Sequence, residues 1–270
     1  MIITSFSNPK IKTIRKLDQK KFRQETGVFF VEGIRSVGEA IQTGAAIESL
    51  VIAPELLVSK FGQSILDDPA LANLEHFEVS AEIFKTISHM QGPQGIGAVV
   101  HQNWSALHEI KVKPDDLWIA LDAIADPGNL GTIMRTADGV GARGVILLGQ
   151  STDPYDPIAV KASMGSLFSL VISQTSWEVF HKWKKEHDLA LVGTSDRATT
   201  DYKTVQYRRP TALLMGSERH GLPKHMLESC DHLVSIPMAG RSDSLNLAVA
   251  AGIMLYEIYD QKRKLDIIES

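Results

Sequence analysis

The chain has 270 residues, 44% hydrophobic and 22% charged, a formal net charge of −4 and one cysteine, Cys230. These values describe a soluble globular chain with enough apolar material for a sizeable core and enough length for two domains. They exclude an internal disulfide and argue against a general nucleic-acid binder, and no apolar run reaches the ~20 residues that cross a bilayer. The first residues, Met1 to Phe6, lack the basic and apolar regions of a signal peptide, so the expected location is the cytoplasm and no membrane partner is expected.

In chain order, Asn8-Pro9 opens a helix with Ile11, Ile14 and Leu17 at helical spacing. Val28–Val31 reads as a strand, and Glu32-Gly33 leads into a helix carrying Val37, Ala40 and Ile41 on one side. Ser49–Ala53 is the next strand, and Pro54 is expected to start another helix. A strand near Phe77, a helix over Ala81–Ile87 and a strand over Ile96–Val100 complete a small α/β domain, residues 1–102. Residues 1–40 hold eight basic residues against four acidic ones. Lys10, Lys12, Arg15, Lys16, Lys20, Lys21 and Arg23 form a stripe that fits a local polyanion contact, with a solvated helix face as the alternative.

Signals weaken over Gln102–Asp116, and residues 103–116 are assigned as a linker. A second α/β series occupies residues 117–270. It has strands over Leu117–Leu121, Gly144–Leu148, Ala190–Gly193, Ala212–Met215 and Leu233–Ile236. Helices are expected over about Gly131–Val140, near Trp177–Glu186, after Pro223, and at the end to about Lys264. Continuous apolar strands separated by helices imply a mostly parallel sheet covered on both faces. The fold class is therefore α/β.

Ligands in such sheets sit beyond the carboxyl ends of the strands, and three loops there carry chemistry-bearing residues. Asp122 to Gly131 opens a helix with Arg135 about one turn in, within reach of a phosphate or carboxylate, although a simple cap at Asn129 and an Arg135–Asp138 pair would also explain it. Met215 to Pro223 offers Gly216 for close backbone approach and Glu218 and His220 as acid/base groups. Ile236 to Asn246 follows a strand and ends in Ser242, Asp243 and Ser244, all good N-cap types, so its loop should present helix N–H groups to a ligand. The letters of Gly139-Val140-Gly141-Ala142-Arg143-Gly144 match a dinucleotide fingerprint, but they follow a helix and precede a strand, the reverse of what that site needs. That makes a nicotinamide oxidoreductase remote, and the scattered His residues suggest no metal.

Together these segments resemble the SpoU (TrmH-like) branch of the SPOUT RNA methyltransferases. The resemblance rests on Asp126-Pro127-Gly128-Asn129-Leu130-Gly131-Thr132-Ile133-Met134-Arg135-Thr136-Ala137, on Leu214-Met215-Gly216-Ser217-Glu218-Arg219-His220-Gly221-Leu222, and on Ile236-Pro237-Met238 through Ser244-Leu245-Asn246. Lys161 to Phe168 resembles a further family segment, and Phe29-Phe30-Val31-Glu32-Gly33 looks like the family's N-terminal substrate-binding domain.

The resemblance implies a C-terminal domain closed by a deep trefoil knot, and a homodimer formed through the knotted region. It implies S-adenosyl-L-methionine as cofactor, held through Leu214, Gly216, Ile236, Met238, Ser244 and Leu245. The reaction implied is methyl transfer to a ribose 2′-hydroxyl, with Arg135 catalytic and Asn129, Glu218 and Asn246 supporting it. The separate N-terminal domain favours 23S ribosomal RNA as substrate, with Lys10 to Arg23 gripping phosphates. A transfer-RNA ribose methyltransferase is the alternative within the enzyme class, and a non-catalytic RNA-binding or ribosome-assembly factor the alternative outside it.

Overall fold

The computed structural model describes residues 2–207 and 210–269. The first elements are α1 (Pro9–Lys16), α2 (Lys20–Thr26), β1 (Val28–Glu32), α3 (Ile34–Gln42), β2 (Ile47–Ile52), α4 (Lys60–Ser64), β3 (Glu75–Glu78), α5 (Ala81–Lys85) and β4 (Ile96–His101). There follow β5 (Leu117–Asp122), α6 (Pro127–Gly139), β6 (Gly144–Leu148), α7 (Pro157–Ser163), β7 (Val171–Thr175), α8 (Trp177–Glu186) and β8 (Ala190–Thr194). The last are β9 (Thr200–Asp201), β10 (Thr211–Met215), α9 (Lys224–Leu227), β11 (His232–Ser235) and α10 (Leu247–Glu269). They form two compact units, residues 1–103 with 153–169, and residues 104–152 with 170–270.

The first unit holds a four-stranded sheet in the order β1-β4-β2-β3. Strand β4 runs antiparallel to both of its neighbours, and β3 lies parallel to β2. Helix α1 starts where Asn8 accepts the Lys10 N–H at 2.9 Å and Pro9 takes the first helical position. Its Ile11 and Ile14, with Leu17, are buried against Val28, Phe30, Val51, Val79 and Phe84. The helix expected from Pro54 is absent: Pro54–Leu56 make only a turn, and α4 begins after Ser59, whose hydroxyl accepts the Gly62 N–H. Ser59 supplies the side-chain acceptor for an N-terminal N–H that proline alone does not.

The basic stripe divides on inspection. Lys12 and Lys20 are exposed and make no side-chain ion pair or hydrogen bond among the described residues, while Lys16 lies over the Phe22 ring and Lys21 pairs with Glu25 at 3.8 Å. Lys10 pairs with Glu75, and Arg15 donates to Thr86 and to the Phe6 carbonyl. Arg23 contradicts its assignment as an RNA contact: its side chain is only 1% exposed. Its guanidinium meets Asp153 at 2.6 Å and Asp156 at 3.5 Å, and donates to the carbonyls of Leu17 and Asp18 at 2.8 and 3.0 Å. A five-donor fork satisfied on four acceptors is a structural centre, with no edge left for a phosphate.

The carboxylate partners of Arg23 lie in residues 153–169, which belong to the first unit although the sequence places them inside the second. Tyr155 packs on Phe29 with ring centroids 4.8 Å apart, and Phe168 stacks on the same ring at 6.1 Å. A helix here, α7, and the strand β7 that follows were not anticipated from the sequence.

The second unit carries a seven-stranded sheet in the order β7-β6-β5-β10-β8-β11-β9, parallel throughout. Alternation along the strands sends Trp118, Ala120, Ile146, Leu148, Ala212 and Leu214 to one cluster with Phe180 and Trp183 of α8. The intervening Ile119, Leu121, Val145, Leu147 and Leu213 are equally buried, so both faces of the sheet are covered. Leu107 and Ile110, from the segment expected to be a linker, are buried in the first of these clusters. Helix α10 packs along α6, with Gly252 beside Thr136 and Gly139 beside Tyr256.

Among the described residues no helix is long and apolar enough to cross a membrane. Replacing Arg23 by Ala leaves Asp153 buried without its cation, a defect that costs about 3–5 kcal/mol. Denaturant unfolding should register that loss, whereas Lys12→Ala should stay within about 0.5 kcal/mol of the parent. Equal effects of the two variants would show that the Arg23 cluster is not a structural centre.

Candidate functional site

Strands β5 and β10 are neighbours, with Leu121 opposite Met215, so their loops leave the sheet side by side. After β5 the backbone turns at Ala123, whose φ of 51° is left-handed, and buries Ile124. Asp126 then caps α6 by accepting the Asn129 N–H at 2.7 Å, and Pro127 takes the first helical position. The cap is thus Asp126 and not Asn129, which leaves the Asn129 side chain available for other work. Asp126 followed by proline is itself a start signal readable in the sequence.

After β10, Gly216 lies so close to the backbone of Gly221 and Leu222 that any Cβ there would overlap them. The turn closes through Gly221 N–H to the Ser217 carbonyl at 3.0 Å and His220 N–H to the Ser217 hydroxyl at 3.2 Å. It aims Glu218 at the first loop, where the carboxylate accepts the N–H groups of Ala125 and Asp126 at 3.3 and 3.4 Å. The side chain of His220 is exposed and takes no part in this bonding.

The third loop begins beyond β11, which β8 and β10 separate from β5. Its end nevertheless reaches α6: Asn246 Nδ2 donates to Asn129 Oδ1 at 2.9 Å, and Asn129 Nδ2 donates in turn to Glu218 Oε1 at 3.2 Å. Residues 236–246 therefore cross over the carboxyl ends of β8 and β10. The cap of α10 is Asn246, whose Oδ1 accepts the N–H groups of Ala248 and Val249 at 2.9 and 3.3 Å. Ser242, Asp243 and Ser244, expected as caps, stay exposed in the loop because the helix starts only at Leu247.

Three of the four residues assigned to catalysis thus form one chain, Asn246–Asn129–Glu218. Each amide has its orientation fixed by a partner at either end. The fourth, Arg135, lies six residues along α6 from Asn129, about 9 Å down the helix axis at ~1.5 Å per residue. It is exposed, and no hydrogen bond or ion pair engages its guanidinium among the described residues. Of the six positions assigned to the cofactor, Leu214 is buried within β10, paired to Ala120 and Gly193, and Gly216 is buried just beyond it. Ile236 and Leu245 are half-buried, Met238 is 39% exposed and Ser244 is exposed, all in the crossing loop. Apolar side chains held part-open on that loop, together with a turn at Gly216 that only glycine permits, fit a partly apolar ligand read through main-chain groups.

The charges are set by the same geometry. Burial pushes the Glu218 carboxyl up, but its own N–H, the Asn129 amide and the N–H groups of Ala125 and Asp126 outweigh that and hold it below the usual carboxylate range. Asp122, at the end of β5, moves the other way, raised by burial and only partly offset by the charge of His225. Among the described residues no cluster of three His, Cys, Asp or Glu could hold a metal ion.

The chain matches the model of the SpoU rRNA Methylase family over residues 116–256. It belongs to that family. Residues 8–98 of this SpoU chain match the MRM3-like substrate binding domain. The chain is 34% identical to the 23S rRNA (uridine(2479)-2'-O)-methyltransferase of Streptomyces viridochromogenes, covering 91% of this chain and 87% of that one. To the 23S rRNA (guanosine(2553)-2'-O)-methyltransferase RlmP of Bacillus subtilis it is 28% identical, over 95% and 98% of the two chains. Among solved structures, the AdoMet-bound rRNA methyltransferase from Sinorhizobium meliloti aligns with a TM-score of 0.88 and 38% identity, covering 98% of each chain.

Because the Glu218 pKa is depressed on folding, its contribution to loop order is present above the unfolded pKa and is lost as pH falls through the folded one. In an NMR titration, the Ala125 and Asp126 amides should therefore report a midpoint below the ~4.3 of an isolated glutamate. Glu218→Gln should remove that transition, and its persistence in the variant would assign it to another carboxyl.

Proposed function

We propose that this protein transfers the methyl group of S-adenosylmethionine to a ribose 2′-hydroxyl of 23S rRNA. The observation that carries the reading is the Asn246–Asn129–Glu218 chain at the start of α6, with Arg135 further along the same helix and its guanidinium uncommitted among the described residues. When bound, the cofactor supplies the electrophilic methyl on its sulfonium. Gly216, Ile236, Met238, Ser244 and Leu245, with the end of β10 at Leu214, hold it through main-chain groups and part-open apolar side chains.

The nucleophile is the difficulty. A ribose hydroxyl must lose its proton as the C–O bond forms and the C–S bond breaks, and a guanidinium with a pKa above ~12 is no base. Arg135 instead binds an RNA phosphate next to the reacting ribose and polarises the hydroxyl toward the methyl. The proton leaves to that phosphate or to water. Asn129 and Asn246 place the ribose, while Glu218, kept ionised, ties both loops and fixes the direction of the Asn129 amide. Lys12, Lys16, Lys20 and Lys21, with Lys10 and Arg15, supply phosphate contacts on the first unit, and such a chain works in the cytoplasm, where ribosomes are assembled.

Arg135→Ala should lower the single-turnover methylation rate about 100- to 1,000-fold, the usual cost of one charge-stabilising donor. S-adenosylmethionine binding by calorimetry should stay unchanged. Retained turnover would remove Arg135 from the reaction, and failure of the parent protein to bind the cofactor would favour a non-catalytic assembly factor.

We also infer that the crossing loop closes a deep trefoil knot and that two chains pair through this region. In support, residues 236–246 pass over two strand ends before α10 packs back on α6. Val249 and Tyr256 of α10, 51% and 53% exposed, flank the half-buried Ile253 in one stripe at helical spacing. Val249→Asp with Tyr256→Asp should convert a dimer into a monomer in analytical ultracentrifugation. A parent protein that is already monomeric would refute the pairing.

A further inference from the structure

The first unit contains a cleft of about 240 Å³ that neither the methyl-transfer residues nor the basic stripe uses. It opens where β1 runs into α3, facing the segment before β4 and the helix α7. Met90, Val160 and Met164 give it apolar walls, and Arg35, His89 and Lys161 stand at its rim.

The construction is specific. Gly33 sits at φ 94°, and a Cβ there would press on Gln94 Oε1 at 3.3 Å and Met90 Sδ at 3.4 Å, so the cleft needs glycine at its mouth. Gln94 Oε1 accepts the Ile34 N–H at 2.8 Å, which fixes the amide and leaves its Nε2 without a partner among the described residues. Met164 holds the end of α7 in the left-handed conformation, φ 54°, and Gly165 follows at φ 96° packed against Glu39.

The electrostatics favour an anion at the rim. Arg35 is exposed and makes no ion pair or hydrogen bond among the described residues. Lys161 Nζ donates to the His89 carbonyl at 2.8 Å and pairs with no carboxylate among the described residues. Glu32, the acidic residue lining the cleft, accepts from the Ser88 hydroxyl and the His89 N–H, and the His89 ring is held by Asp18 at 2.8 Å. Two cations therefore stand unneutralised over a slot whose one carboxylate is already satisfied.

We propose that this cleft takes one unpaired RNA nucleotide. The idea rests on the rRNA substrate argued above, and places a docking nucleotide on the unit that does not carry Arg135. The volume is below the roughly 300–1,000 Å³ of pockets that engulf a drug-sized ligand, so it admits one planar base and leaves the phosphate at the mouth. Splayed-out bases entering apolar slots are the usual basis of sequence-specific RNA recognition. The Gln94 Nε2 donor disfavours adenine, which has no carbonyl, and is met by uracil through O4 or guanine through O6. Arg35 and Lys161 hold the phosphate.

The test uses the full-length protein and 23S rRNA transcribed with 4-thiouridine or with 6-thioguanosine. Irradiation should attach one of these RNAs to the peptide spanning Met90 to Gln94 or to that spanning Val160 to Met164. The double variant Arg35→Ala/Lys161→Ala should bind the RNA at least tenfold more weakly. Its slope of log Kd against log salt should fall by about 1.4, two contacts at ~0.7 each on single strands, with S-adenosylmethionine affinity unchanged. Crosslinks confined to other peptides, or an unaltered salt slope, would overturn the nucleotide cleft. Parent protein that binds S-adenosylmethionine but no 23S rRNA would overturn the substrate reading itself.

Discussion

The Asn129 side chain is the joint on which the methyl-transfer region depends. It has one acceptor and one donor group, and each is taken by a different loop: Asn246 bonds to its oxygen and Glu218 takes its nitrogen. Three segments far apart in sequence thereby share one register at the carboxyl edge of a parallel sheet. None of these bonds is deeply buried, so each contributes modestly by itself. Their value lies in mutual orientation, since a reversed Asn129 amide would face a donor with a donor and an acceptor with an acceptor.

That joint also explains the division of labour around it. A carboxylate held ionised by four donors cannot serve as the proton acceptor in the reaction, and an asparagine cannot serve at all. The residues that remain position groups and stabilise charge, which is why the reading gives the chemistry to an arginine and a phosphate. The same logic separates the two carboxyls near the strand ends, Glu218 pushed down by hydrogen bonds and Asp122 pushed up by burial.

Much of the second unit was legible because its strands are unbroken apolar runs, and such runs in a parallel sheet need no knowledge of partners to be recognised. The three loops were legible for the same reason, since glycine, proline and cap residues punctuate them locally. What escaped depends on contacts distant in sequence. Nothing near Arg23 distinguishes it from Lys20 or Lys21, and its carboxylate partners, Asp153 and Asp156, lie 130 or more residues away. The cap of α10 was misplaced by four residues or fewer because Ser242, Asp243 and Ser244 are as suitable as Asn246, and the bond to Asn129 decides among them. The cleft between α3 and α7 was invisible for a further reason: one of its walls comes from a segment that sequence order assigns to the other unit.

That borrowed segment sets an order of events when the protein is made. A chain leaving the ribosome N-terminus first presents Arg23 and the face of Phe29 long before Asp153, Tyr155 and Phe168 exist to cover them. At about 5–20 residues per second, the 130 residues between Arg23 and Asp153 correspond to a wait of roughly 6–26 s. From the emergence of β4 until Asp153 and Tyr155 follow, the first sheet has a cation where its core should close and an aromatic ring facing water. The N-terminal unit, although first in sequence, is finished only after β5, α6 and β6 of its neighbour have emerged.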